Sequence, residues 1–250
     1  MDNETSELLR RGRLEFVYEL VPAYGVVGLQ EHTASVEQRI FDGDHRWVGQ
    51  VREEEPARKP TLENRGLAGE RIHAAVYDKS DARVVAFERR QESPGRLDVA
   101  DGTGRPVGSI EVGSADDGGT GIYDCSRERV GGISGKGGRR VALEFEFSVR
   151  YSLLRFALGA LARDGSFDFT VENAYGNELG WIADPIACAK RKGITVRRGL
   201  RSRLTEGETP DRHFLTFVRD VTPDLRLLMV AASAGVHLVL SAWATPPPND

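Results

Sequence analysis

The sequence predicts an all-β-dominated fold in which an antiparallel sheet closes around one C-terminal helix, and three observations carry that expectation. One cassette recurs five times: an apolar residue, a spacer, Asp or Asn, then Gly (once Val) seven positions on, and an apolar residue two after that. The copies run from Ile40, Val76, Val99, Ile122 and Val171. Segments beside them alternate apolar and polar residues, the period of half-buried strands. After the last of them comes the only long apolar run of the chain, residues 227–244.

Each cassette reads as a β-hairpin. The turn residues are Asp42, Asp78, Asp101, Asp124 and Asn173, whose side chains accept a backbone N–H two residues on, and Gly104 and Gly176 stand three positions later, where a positive φ is wanted. Before the first hairpin, residues 1–13 are a polar leader, and Leu14, Phe16, Tyr18 and Leu20 alternate as a candidate first strand. Residues 53–69 are charged and carry Pro56 and Pro60, a solvated loop. Residues 113–121 and 134–138 are glycine-rich connections of hairpin type. Val141, Leu143, Phe145, Phe147 and Val149 alternate as a strand, whereas residues 153–161 fit a strand or a helix equally. Residues 213–218 form the last strand. The terminal helix starts with Thr222 as N-cap, Pro223 at the first helical position and Asp224 at the positive end of the dipole.

The recurrent Gly49, Gly108, Gly131 and Gly180 precede Val51, Ile110, Ile133 and Ile182 by two, so each pair shares a sheet face. Glycine inside a strand suits a close approach by another backbone. An all-round apolar helix must be buried in a core or in lipid, and it is the expected source of that backbone. Its Ala, Ser and Gly content and the charge on Arg226 favour burial within the sheet over a membrane span.

Composition narrows the function classes. The 250 residues carry a formal net charge of -4 with a pI near 5.8, which argues against a dedicated nucleic-acid binder. Cys125 and Cys188 are too few for a disulfide scaffold and lack zinc spacing, as expected of reduced thiols in a cytoplasm. The N-terminus has no basic region before an apolar stretch and does not read as a secretory signal.

Catalytic motifs do not assemble. The glycine-rich segment 131–138 differs from a phosphate-binding loop: Val130 stands where its first glycine belongs, and Gly137 replaces its Ser or Thr. A hairpin turn is the better reading. Ser233, in Ala231-Ala232-Ser233-Ala234-Gly235, lies in an apolar helix without the preceding strand of a nucleophile elbow, and only His237 and Asp250 remain downstream as a histidine and an acid. His32, His45, His73, His213 and His237 form no metal spacing, and His237 on the apolar helix reads as a core residue. The acidic Asp211, Asp220 and Asp224 lack the spacing of a calcium loop and read as turn and helix-end charges. The expectation is a protein without enzymatic activity, cofactor or metal.

One polar stretch stands out. Residues 190–203 contain Lys190, Arg191, Lys192, Arg197, Arg198, Arg201 and Arg203 and no acid, within a net-acidic chain. Arg forks match phosphate oxygens, so these seven are the candidate contacts for an anion or a lipid headgroup. The competing reading is a solvated strand edge, where positive charge blocks edge-to-edge pairing.

Together the hairpins of the form V-x-D-x-x-G-x-x-V-G-x-I, the final Phe-x-Phe strand and the apolar helix led by an acidic, proline-containing turn resemble the phospholipid scramblase and LURP-one-related family. The resemblance spans residues 36–244. It implies the tubby C-terminal fold, a closed antiparallel barrel of about twelve strands around a central hydrophobic helix. The expected organisation is residues 1–34 as leader and candidate strand, residues 35–244 as barrel with the helix at 223–244, and residues 245–250 as tail. The chain lacks the proline-rich tail and cysteine cluster of animal scramblases. The expected function is a non-catalytic, cytoplasmic barrel, peripheral at the membrane, that associates with anionic phospholipid and not with nucleic acid. The alternative is a regulatory or structural module that binds a protein or small ligand without lipid.

Overall fold

A computed structural model describes residues 6–21, 35–54, 72–90, 92–93, 95–112, 120–135, 168–194 and 212–241. Within them twelve antiparallel strands close into a barrel. In chain order they are β1 (Arg13–Val21), β2 (Ser35–Asp42), β3 (Trp47–Glu53), β4 (Ile72–Asp78), β5 (Arg83–Arg89), β6 (Arg96–Asp101), β7 (Pro106–Val112), β8 (Thr120–Asp124), β9 (Arg129–Gly135), β10 (Asp168–Asn173), β11 (Glu178–Ala183) and β12 (Arg212–Phe217). Each strand pairs with its neighbours in sequence, and β1 closes the ring by pairing with both β2 and β12. Among the described residues three helices accompany them: α1 (Glu7–Arg10), α2 (Pro185–Arg191) and α3 (Pro223–Ser241).

The five cassettes are the hairpins β2–β3, β4–β5, β6–β7, β8–β9 and β10–β11, and they share one turn. In each, the Asp or Asn side chain accepts the N–H groups two and four residues on, for example Asp101 Oδ1 from Thr103 and Arg105 at 2.9 and 3.0 Å. Its own N–H and C=O bond across the turn, to Arg105 O and from Gly104 N. The residue three after it takes a positive φ in every copy: His45, Asp81, Gly104, Arg127 and Gly176. A β-bulge follows each turn, because the register shifts between Ile40 and Phe41, Val76 and Tyr77, Val99 and Ala100, Ile122 and Tyr123, and Val171 and Glu172. The residue this sets aside is apolar each time, and Val48, Val84, Val107 and Leu179 are buried.

The recurrent glycines do meet a close backbone, but it belongs to the adjacent strand and not to the helix. A Cβ on Gly49, Gly108, Gly131 or Gly180 would lie 2.3, 2.1, 2.5 or 2.3 Å from the carbonyl oxygen of Tyr77, Tyr123, Glu172 or Thr216. Three of those carbonyls immediately precede the next turn residue: Gly49 pairs with Asp78, Gly108 with Asp124 and Gly131 with Asn173. The glycine therefore lets one hairpin's bulge nest against the next hairpin's turn. At Gly180 the helix also contributes, through Met229 Cε at 2.9 Å.

α3 occupies the barrel interior. Leu227, Leu228, Met229, Val230, Ala231, Ala232, Ser233 and Ala234 are all buried, so the helix is enclosed on every side over more than two turns. Its predicted start holds: Pro223 is the first helical residue and the Thr222 carbonyl accepts from Arg226 N–H. Among the described residues no helix is long and apolar enough to cross a membrane. Inside the barrel His213 of β12 is fully buried, stacked on Phe16 with centroids 4.8 Å apart, and its Nε2 lies 2.8 Å from Ser233 Oγ. That pair joins the helix to the wall, so Ser233 is a packing contact, consistent with its place in an apolar helix.

Other expectations are corrected. The barrel begins at Arg13 and not at residue 35, and the polar leader contains α1, whose Leu8 is fully buried under β3. Arg226 donates to Leu9 O, so α1 closes one end of the barrel over the start of α3. Residues 131–135 lie in β9 and not in a turn. The strand expected at 141–149 and the segment 153–161 lie outside the described residues.

Three outcomes follow. Replacing Gly108 by Val places branched carbon against a fixed carbonyl, and a loss of about 1–3 kcal/mol is expected from overpacking, read as a lowered midpoint in urea. Ending the chain before Leu225 removes Leu227, Leu228, Met229 and Val230 from the core; at about 1.5–3 kcal/mol each this rivals the whole stability of a domain, and no cooperative unfolding transition should survive. For Asp101, burial raises the carboxyl pKa, but the Thr103 hydroxyl, Arg105 and their backbone N–H groups outweigh it and hold it at about 2, against an ordinary 3.8. A depressed folded value gives stability present above pH 4 and lost as pH falls through about 2, roughly 2 kcal/mol. Asn173 makes the same turn without charge, so Asp101→Asn should fold and show a flatter loss of stability between pH 4 and 2 in urea titrations.

Candidate functional site

Among the described residues the outer face of the barrel carries one further packed element, and it builds a cleft. After β11 the Asp184 side chain accepts from Ala187 N at 2.7 Å and Pro185 takes the first helical position, which starts α2. The helix covers outward side chains of β11 and β12: Trp181, Ala183, Ala187, Cys188 and Phe214 form a second apolar cluster outside the barrel wall. Arg191 pins it there. Its guanidinium reaches Asp168 at 2.6 Å, Glu178 at 3.1 Å and the Thr170 hydroxyl at 2.8 Å, and lies 5.3 Å from the Trp181 ring centroid.

Between α2, the outer face of β1 and β12, and the β2–β3 turn lies a cleft of about 330 Å³. Phe214 and Cys188 are among its apolar lining, and Arg13, Glu15, Asp42, His45, Lys192 and Arg212 supply its polar groups. The two acids are committed locally. Glu15 is buried, with Oε2 2.9 Å from His45 Nδ1 and Oε1 3.2 Å from Arg212 Nη1. Burial pushes the Asp42 carboxyl up, but N–H donation from Arg46 and Asp44, with Arg11 close by, holds it below the usual carboxylate range. Arg13 lies 4.1 Å over the Phe214 ring, and among the described residues neither Arg13 nor Lys192 has a carboxylate at salt-bridge distance. These two cations are thus the charges the cleft offers to a guest.

The cleft is suited to holding an anion. Cys188 is the nucleophile nearest at hand, and burial pushes its thiol up to about 12 despite the pull of Arg13. It stays protonated at neutral pH, which makes it packing and not a thiolate.

The basic stretch divides. Lys190 and Lys192 are exposed at the end of α2, Lys192 lines the cleft, and Arg191 is held by Asp168 and Glu178 instead of facing outward. This part is a helix end and not a strand edge. Arg197, Arg198, Arg201 and Arg203 lie outside the described residues, as does Asp211. Asp224 pairs with Arg105 at 2.7 Å and Asp220 is exposed; among the described residues no group of His, Cys, Asp or Glu is placed to hold a metal. Sequence reasoning missed Arg13, Glu15, His45 and Arg212 as cleft residues. They come from three separated segments, and the only sequence signal was that Arg13 and Glu15 occupy the polar phase of β1.

No protein-family model and no curated protein sequence matches the chain. Among solved structures, an X-ray structure of a protein from Arabidopsis thaliana is similar over 92% of this chain and 90% of that one, at 11% identity and a TM-score of 0.40.

Proposed function

We propose that this protein is a non-catalytic barrel of the scramblase and LURP-one-related kind that associates with anionic phospholipid headgroups through the cleft beside α2. The barrel closed around a buried terminal helix is the architecture that the sequence resemblance implies, and it agrees with that reading without fixing a function. The observation that carries the proposal is the position of Lys192. It lines the cleft together with Arg13, and the chain leaving it adds Arg197, Arg198, Arg201 and Arg203 without one acid. A phosphate in the cleft would meet the Arg13 guanidinium and the Lys192 ammonium, both suited to charge-assisted hydrogen bonds.

The triple substitution Lys192→Gln, Arg197→Gln, Arg198→Gln tests this. At about 1 kcal/mol per basic residue near an anionic surface, it should weaken binding to phosphatidylserine vesicles about a hundredfold. Exposed Lys192 contributes little to stability, so the thermal midpoint should hold for that change. Wild-type binding should also fall with salt. Flotation with anionic against neutral vesicles reads both, and a wild type that floats with neither would overturn the proposal in favour of a module that binds protein or a small ligand.

A further inference from the structure

Among the described residues four large apolar side chains are exposed: Trp47, Tyr175, Ile194 and Val218, at 45, 89, 51 and 48%. They are far apart in sequence and fall on one side of the barrel. Trp47 opens β3 directly after the β2–β3 turn, opposite Phe41, which itself pairs with Glu15 of β1. Phe217 N–H donates to Gly12 O and Val218 N–H to Leu179 O, so Val218 sits between the start of β1 and the start of β11. Tyr175 is in the β10–β11 turn, and Ile194 lines the cleft beside Arg13 and Gly43. All four therefore lie on one arc of the rim where the hairpin turns gather. The arc runs from β3 through β2, β1, β12 and β11 to β10, five strand spacings or roughly 24 Å. The remaining turns of that rim, at residues 79–81, 102–104 and 125–127, carry no large apolar side chain.

Ion pairs on the arc hold Glu15 to Arg212, Asp42 to Arg11 and Glu178 to Arg191. Outside those pairs Arg13, Arg46, Lys192 and Arg219 stand against Asp44 and Asp220, a positive excess on a chain that carries -4. Trp and Tyr rings settle at the boundary between headgroups and acyl chains, and cations beside them meet lipid phosphate. A small ligand in the cleft would leave Tyr175 and Val218 without a use.

We infer that this arc of the turn rim is the face that seats on an anionic bilayer, with Trp47, Tyr175, Ile194 and Val218 entering the headgroup layer while Lys192 and Arg13 hold phosphate. The inference rests on the lipid-binding reading and adds the orientation of the barrel and a contribution that salt does not screen. α3 stays in the barrel throughout, and the contact is interfacial.

The test uses the full chain and phosphatidylserine vesicles whose lipids carry bromine near the top of the acyl chains. Wild-type tryptophan fluorescence should be quenched on binding, and Trp47→Phe should lose most of that quenching while still floating with the vesicles. The variant Trp47→Ser, Tyr175→Ser, Val218→Ser should bind about tenfold more weakly, with the larger loss at high salt, where apolar contact remains and charge attraction is screened. Each side chain is already solvent-exposed, and an unchanged thermal midpoint shows the fold intact. Flotation of the wild type with quenching that Trp47→Phe does not touch would overturn the orientation and leave headgroup binding standing. Wild type that does not float even at low salt overturns both. A vesicle-independent dimer that the triple substitution abolishes would make the arc a contact between two copies of the chain and overturn its role at lipid.

Discussion

A closed sheet of twelve strands is too wide to fill itself. Eight strands enclose a space that their own side chains just occupy, and the diameter grows with strand number. The widened interior leaves room for a helix, about 10–12 Å across with side chains, and α3 is what this barrel puts there. The rest of the molecule answers to that constraint. Small residues at Ala231, Ala232, Ala234 and Gly235 keep the helix thin where the wall is near; a Cβ on Gly235 would already lie 3.1 Å from Leu97. His213 and Ser233 meet inside the barrel, 2.8 Å apart. α1 closes the end, with Leu8 buried and Leu9 O accepting from Arg226.

The wall is made by repetition. Turn, bulge and glycine act as one unit: the carboxylate or amide oxygen orders the turn, the bulge sends an apolar side chain toward the core, and the glycine admits the carbonyl of the next hairpin. Bulge carbonyls extend the link, since Val48, Val130 and Leu179 accept from Lys79, Ala174 and Val218. Neighbouring hairpins are consequently locked in register and curved alike, which is how a bulged sheet turns far enough to close. The repeat is interrupted where β12 meets β1. β12 and β1 meet without a hairpin, α2 packs outside them, and the cleft and the apolar arc both belong to that seam.

Legibility in the sequence followed the range of the interactions. The five hairpins were readable because an Asp turn and its glycine lie within ten residues. The buried helix was readable because residues 227–244 are apolar on every face. The cause of the glycines was not: their close neighbour sits on the following hairpin, and a single sequence does not say which backbone approaches. α2 escaped because seven residues are too few for a helical period to emerge, although Asp184 followed by Pro185 was a usable start signal. The basic stretch mixed two placements, since Arg191 anchors the helix through Asp168 whereas Lys192 faces the cleft. Arg13 and Glu15 needed the β1–β12 pairing, a contact spanning about two hundred residues.

The order of elements along the chain has a consequence for biogenesis. β1 is made before the other strands and finds its outer partner, β12, only after the ten strands between them have been synthesised, and the helix that fills the ring comes later still. Until then the hairpins form on the nascent chain as an open sheet, with one apolar face wet and two unpaired edges exposed, the condition under which strands of different molecules join. Until α3 docks the ring is neither closed nor filled, and that interval is the period in which such a fold leans most on chaperones.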